Sequence, residues 1–373
     1  MATILEKRGL RDFDWLVVLL AVAIVSFGVW QIHNAQPTET YWEKQIVGLL
    51  IALVALAAIA FTDYRRIVDA APLIYGIGLF LLLLVIIPGV GMRINGHQSW
   101  IRVPLIGQFQ PSEFVKIPTV LMLARYFGNR SPQTLKLKEF LVGIAILAAP
   151  LALIMLEPDA GTSVTYFPLL AVVLFLSAFK IRWLLLTIVA GLIFMPVAYW
   201  AGVKTGKIKT YQQERINNLI DPEKADPKGN GYQTLESIIT VGKGGLTGDE
   251  GDTESSQSAL KFLPEPHSDF IFAVTAEHTG FVGCISLLLA YALLLSRLVA
   301  GAQETPDRAG MLVIMAITGE LAFQIFMNVG MALGFMPVIG VPLPLMSAGV
   351  SSVLATFIAI GFFLSVRMRR FVN

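Results

Sequence analysis

FDWLVVLLAVAIVSFGVWQI, residues 13–32, decides the class of this chain: one acidic residue at its edge, then an apolar run as long as a bilayer is thick. Working outward, runs of similar length recur at about 45–61, 71–90, 112–127, 139–156, 160–179, 184–201, 269–296, 309–331 and 349–367. Backbone in hydrocarbon has to bond to itself, so these ten runs predict ten helices. With 55% hydrophobic and 14% charged residues, the 373-residue chain is expected to be an all-α polytopic integral membrane protein, one membrane domain over 1–373. The first run follows MATILEKRGLRDFD and lacks a small-residue cleavage pattern, which predicts a retained span. A net charge of +2 gives no support to nucleic-acid binding. Cys284, the single cysteine, excludes an internal disulfide and reads as a packing residue.

Orientation follows from Lys and Arg in the short connections. With the N-terminus inside, the inner connections hold sixteen, among them Arg65, Arg66, Lys136, Lys138, Arg367, Arg369 and Arg370, against Lys44, Arg93 and Arg102 outside. Both termini are therefore expected in the cytoplasm. The long segment 202–268 then lies outside, too polar for a core of its own, with short amphipathic helices expected near 211–220 and 231–241 and a mobile run from Gly248 to Ser258. No internal repeat is evident, which weighs against an inverted-repeat transporter.

The polar residues inside apolar runs gather toward the outer face. In QPSEFVKIP, residues 110–118, Glu113 and Lys116 stand three apart on one helical face, with Pro111 and Ser112 placed to start the helix and Ser112 as its expected N-cap. Such a pair either ties helices together or floors a cavity in which Lys116 meets a phosphate. Ser268 and Asp269 stand where an N-cap opens the eighth run, and an Asp there is a cap more often than a catalyst. Its company of Glu265, His267 and the prolines at 264 and 266 raises the functional reading. Glu320, Gln324 and Asn328 form a stripe at four-residue spacing, which either bonds neighbouring helices or lines a cavity, and Glu277 and His278 admit the same two readings. Residues 328–352, NVGMALGFMPVIGVPLPLMSAGVSS, predict broken backbone at the outer interface, tolerated only when buried in protein or lining a cavity.

Four motif groups in order carry a family resemblance over essentially the whole length: NGHQSWI (95–101) with FQPSEFVK (109–116), DPKGNGYQ (226–233) with VGKGGLTG (241–248), FLPEPHSDFIFAV (262–274) and NVGMALGFMPVIGVPLP (328–344). The chain resembles the SEDS family of peptidoglycan glycosyltransferases, the shape, elongation, division and sporulation proteins. QSALKFLPE and the GGL of the loop look more like the elongation type, RodA, than the division type, FtsW. Glu236, Ala348–Val350 and the acidic link from Gly248 to Gln257 depart from the family pattern and bear on loop contacts.

The resemblance implies an enzyme that polymerises lipid II, the undecaprenyl-pyrophosphoryl disaccharide-pentapeptide, on the outer face of the bacterial cytoplasmic membrane. It places Asp269 at the family's essential aspartate and Glu113 and Lys116 at its essential ion pair. Substrate contacts are expected from Gln110, Ser112, Arg215, Gln233, His267, Asn328 and Ser347. Lys116, Arg215 and the glycine amides of GKGGLTG are the candidates to hold the departing pyrophosphate, with a divalent cation, Mg²⁺ or Mn²⁺, as a further one, although no metal cage is recognisable. The implied partner is a class B penicillin-binding protein, the transpeptidase that crosslinks the strands. A flippase for the same lipid needs a polar path through the midplane, and Glu320 and Gln324 are the residues that speak for it; a pure scaffold leaves the Asp269 cluster unexplained.

Overall fold

The computed structural model describes residues 12–94, 97–103, 107–130, 136–157, 159–177, 230–248, 263 and 265–370. The seventh run (184–201), the helix expected at 211–220 and most of the run expected to be mobile lie outside them. The other nine apolar runs are helices: α1 (Trp15–Ala35), α2 (Tyr41–Phe61), α4 (Ala71–Ile86), α5 (Pro111–Gly128), α6 (Leu137–Leu156), α7 (Ala160–Leu176), α9 (Ile271–Gln303), α10 (Arg308–Ala332) and α11 (Val350–Met368). A short α3 (Tyr64–Asp69) turns the chain between α2 and α4, and α8 (Asn230–Lys243) is the amphipathic helix foreseen in the long loop. Six of these helices are long and apolar enough to cross a membrane.

Burial separates core from periphery. In α10 and α11, 67% and 78% of the apolar window is buried, against 28% in α2 and α9, whose exposed Leu50, Val54, Phe281 and Leu289 suit contact with lipid. α10 is therefore central, packed on α5, α7 and α9, while α11 packs along α2. At one end Asp14 is shared by Arg297 (2.7 Å) and Arg367 (3.1 Å), tying α1, α9 and α11. The opposite end carries the loops.

At that loop end stands an element outside the all-helical expectation: an antiparallel three-stranded sheet of β1 (Met92–Ile94), β2 (His97–Val103) and β3 (Gly107–Phe109). Gln98 Nε2 fastens it by donating to the Val85 carbonyl at the end of α4 (2.9 Å).

α9 departs from the expected span of 269–296. It breaks at Gly280 (φ 62°, ψ −163°), a left-handed backbone that glycine adopts without strain. The stretch 281–303 has 23 residues, about 34 Å of helix, enough to cross a bilayer alone. The stretch Ile271–Glu277 before the break is buried throughout. The break is sealed from outside the helix: Phe281 N–H donates to the Gly245 carbonyl (2.9 Å) and Val282 N–H to the Leu246 carbonyl (3.1 Å). Lys243 Nζ reaches to 3.8 Å from Glu277, whose side chain is 1% exposed. The GKGGLTG motif is thus a strap over the broken helix. Gly248 N–H donates to Gly244 O (2.8 Å), and its backbone lies against the His278 carbonyl.

Candidate functional site

Asp269 sits in the turn that precedes α9, and neither it nor Ser268 is the cap. Phe270 holds that place and makes no side-chain cap bond. Asp269 Oδ1 accepts from the Ser268 hydroxyl (3.2 Å), and Oδ2 lies over Gly340, a left-handed glycine (φ 76°) in the irregular segment after α10. The turn is held through its backbone. Asn328 Nδ2 donates to the carbonyls of Asp269 (2.9 Å) and Val341 (2.8 Å), Ser347 Oγ donates to Ser268 O (2.6 Å), and Ala348 N–H donates to His267 O (2.8 Å). Asn328 and Ser347 therefore position the aspartate turn against the 335–349 segment. Gln45, a buried residue of α2 with no motif to mark it, does the same from the other side: its amide donates to Ser347 O (3.0 Å) and accepts from Gly349 N–H (3.1 Å).

His267 stacks on Tyr41 with centroids 4.0 Å apart, and its Nε2 lies 3.6 Å from Glu265 Oε2. Burial pushes the imidazole pKa down, opposed by the charges of Glu265 and Glu39. Gln110 occupies the N-cap place of α5 in extended conformation, so Ser112, expected there, is instead inside the first turn. The reason is Pro111: its ring fixes the first helical residue and needs no donor partner, which moves the cap two residues back, to Gln110. Gln110 Nε2 donates to Asp159 Oδ2 (2.8 Å), while Asp159 caps α7 by accepting from Thr162 N–H (3.0 Å). Gly161, next in α7, lies so close to the carbonyls of Ile339 and Gly340 that a Cβ there would overlap both. Segments 108–113, 159–162, 267–269 and 339–351 thus converge at one end of the bundle, with Asp269 among them. Gln233 stands on α8, half-buried. Arg215 lies outside the described residues.

Lys116 is engaged: Nζ is 3.1 Å from Glu113 Oε2 and 2.8 Å from Glu320 Oε1, all three side chains 10% exposed or less. The pair expected from spacing is a triad, its third member supplied from α10. Among the described residues no three His, Cys, Asp or Glu side chains group to hold a metal ion.

Glu157, at the end of α6, is 1% exposed, and neither carboxyl oxygen has a hydrogen-bond partner among the described residues. Burial, and then the neighbouring Asp159, push its pKa from 4.5 up to about 8; nearby Ser99 of β2 opposes this without reaching hydrogen-bond geometry in the fold. The carboxyl ionises near 4.5 unfolded and near 8 folded, so stability falls as pH rises through that window, by up to about 1.4 kcal/mol per pH unit. Glu157→Gln is expected to raise Tm in detergent, with a gain that is small near pH 5 and widens toward pH 8. Equal gains at both pH values would refute this account.

The comparisons place this architecture. The family model described as cell cycle protein (FtsW, RodA, SpoVE) matches residues 12–371. The chain belongs to this family. It is 35% identical over 365 residues to peptidoglycan glycosyltransferase MrdB of Escherichia coli K12, covering 96% of this chain and 94% of that one. Among solved structures, a chain of a peptidoglycan synthase complex studied for coordination of polymerization and crosslinking superposes with a TM-score of 0.83 at 33% identity, covering 97% and 99% of the two chains. The rod shape determining protein RodA of Thermus thermophilus superposes with a TM-score of 0.72 at 29% identity, covering 97% and 98%. The family fold thus extends over the whole bundle, including the end where the four segments converge.

Proposed function

We propose that this chain is a peptidoglycan glycosyltransferase of the elongation type that polymerises lipid II at the outer face of the cytoplasmic membrane, both termini inside. Family membership and the names of the relatives at 30–35% identity support the activity. The bias of Lys and Arg toward one set of short connections supports the orientation. The observation that carries the mechanism is Asp269, a carboxylate held by its backbone at the loop end where four segments meet.

In this reading the 4-hydroxyl of the acceptor's GlcNAc attacks the anomeric carbon of the donor's MurNAc. The C–O bond to the lipid diphosphate breaks, the diphosphate leaves with the bonding pair, and an α linkage becomes β by inversion. Asp269 accepts the hydroxyl proton as general base. Arg215 is the proposed contact for the diphosphate, because Lys116 is already shared by two carboxylates. A divalent cation, Mg²⁺ or Mn²⁺, arriving with the diphosphate would share in neutralising its charge. The crosslinking partner is a class B penicillin-binding protein, in keeping with the synthase complex that the fold resembles.

The test is direct. Purified chain supplied with lipid II alone or with the transpeptidase is expected to yield glycan ladders sensitive to muramidase. Absence of ladders under both conditions, together with transfer of labelled lipid II across proteoliposomes, would favour a flippase and defeat the polymerase.

A further inference from the structure

The charges of Glu113, Lys116 and Glu320 do not balance. One ammonium serves two carboxylates, at 3.1 and 2.8 Å, with side-chain exposures of 6%, 7% and 10%. The surrounding helices bring no second cation among the described residues. α7 contributes Tyr166, whose hydroxyl donates to the Ser112 carbonyl (2.7 Å), and α11 contributes Thr356, whose hydroxyl donates to Ser352 O (2.9 Å). Gln324, one turn along α10, is neutral. Glu157 and Asp159 lie near Tyr166 and bring no positive charge. The triad therefore carries +1 − 2, or −1, if both carboxylates are ionised.

Glu320 stands twelve residues from either end of α10, at the middle of a membrane-length helix. An uncompensated charge at that depth is costly, and a proton is the smallest means of removing it. The cavity lined by Glu113, Lys116, Glu320, Gln324 and Thr356 has about 30 Å³ of space, which is room for water. Which carboxylate takes the proton follows from position. Glu113 lies in the first turn of α5, where the helix N-terminus favours an anion, whereas Glu320 is mid-helix without that support.

We infer that the Glu113–Lys116–Glu320 triad is a buried proton-binding site, which holds one proton on Glu320 at neutral pH and leaves Glu113 and Lys116 as the charged pair. The site is distinct from the aspartate turn and does not depend on the proposed transfer reaction. The stripe of Glu320, Gln324 and Asn328 connects its helix to the Asp269 carbonyl. This gives protonation of the triad a packed route along which to affect the loop end.

The experiment is infrared difference spectroscopy on the full chain in nanodiscs, in H₂O and D₂O, on a Glu157→Gln background so that Glu157 contributes no protonated carboxyl of its own. The carbonyl stretch of a protonated carboxylic acid is expected near pH 7, to be lost in Glu320→Gln and to survive in Glu113→Gln. Glu320→Gln, the neutral isostere, is expected to keep its Tm within a few degrees, whereas Glu320→Ala, which leaves a void beside Lys116, falls further. A band that persists in Glu320→Gln, or disappears only in Glu113→Gln, overturns the assignment. So does a missing band combined with a Tm that depends on sodium, which would mean a bound metal cation in place of the proton.

Discussion

Asp269→Asn is expected to slow glycan polymerisation by about 10²- to 10⁴-fold, the usual contribution of a positioned general base, while leaving the fold in place. The substitution preserves shape and removes the negative charge together with the capacity to take a proton. The contact from Asn328 goes to the residue's main-chain carbonyl and is blind to the side chain. The bond from the Ser268 hydroxyl can be received equally by an amide oxygen. Lipid II turnover at saturating substrate, read beside Tm and circular dichroism of the same preparation, separates chemistry from folding. A rate within tenfold of the native enzyme, with the Tm unchanged, would remove Asp269 from the role of base.

Gly244→Ala is expected to cost about 3 kcal/mol or more, at or beyond the upper end of ordinary overpacking. The new methyl would overlap the Ala276 carbonyl oxygen, and both partners are backbone, so neither can rotate away. Relief would mean lifting the strap, and the amides of Phe281 and Val282 would then lose their acceptors. Gly242 supplies the control two residues earlier. It lies within α8 with nothing within 4 Å of a would-be Cβ, so Gly242→Ala is expected to be neutral or stabilising by about 0.5–1 kcal/mol through helix propensity. Similar Tm shifts for the two variants in detergent would show that the strap does not bear on stability.

The spans were legible because hydrocarbon permits so few backbone solutions; nine of ten apolar runs are helices, eight of them within four residues of the expected bounds and α9 running seven past its expected end, and the tenth lies outside the described residues. The sheet had a cue in Asn95-Gly96 between Ile94 and His97, a strong two-residue hairpin signal that the long apolar runs around it overshadow. The break at Gly280 had a cue in the length of the 269–296 run, longer than a bilayer requires. Spacing found Glu113 and Lys116 as neighbours because three residues along a helix is a local relation. Glu320 is 204 residues from Lys116, and no local pattern reports that distance. The isolation of Glu157 and the tie from Gln45 to Ser347 were hidden for the same reason, since each depends on what packing brings near. GKGGLTG shows the opposite hazard. Its glycines suggested an anion cradle, and two of them, Gly244 and Gly248, serve close backbone approach to a helix.

The strap precedes α9 in the chain, and this order matters during synthesis. Proteins emerge from the ribosome N-terminus first, so residues 243–248 exist before Phe281 and Val282 are made. An amide left open in lipid costs several kcal/mol, and a plug encoded downstream would leave two of them waiting while the next spans were translated. Here the acceptors are already present when the fractured helix is delivered, so its insertion need not await the rest of the polypeptide.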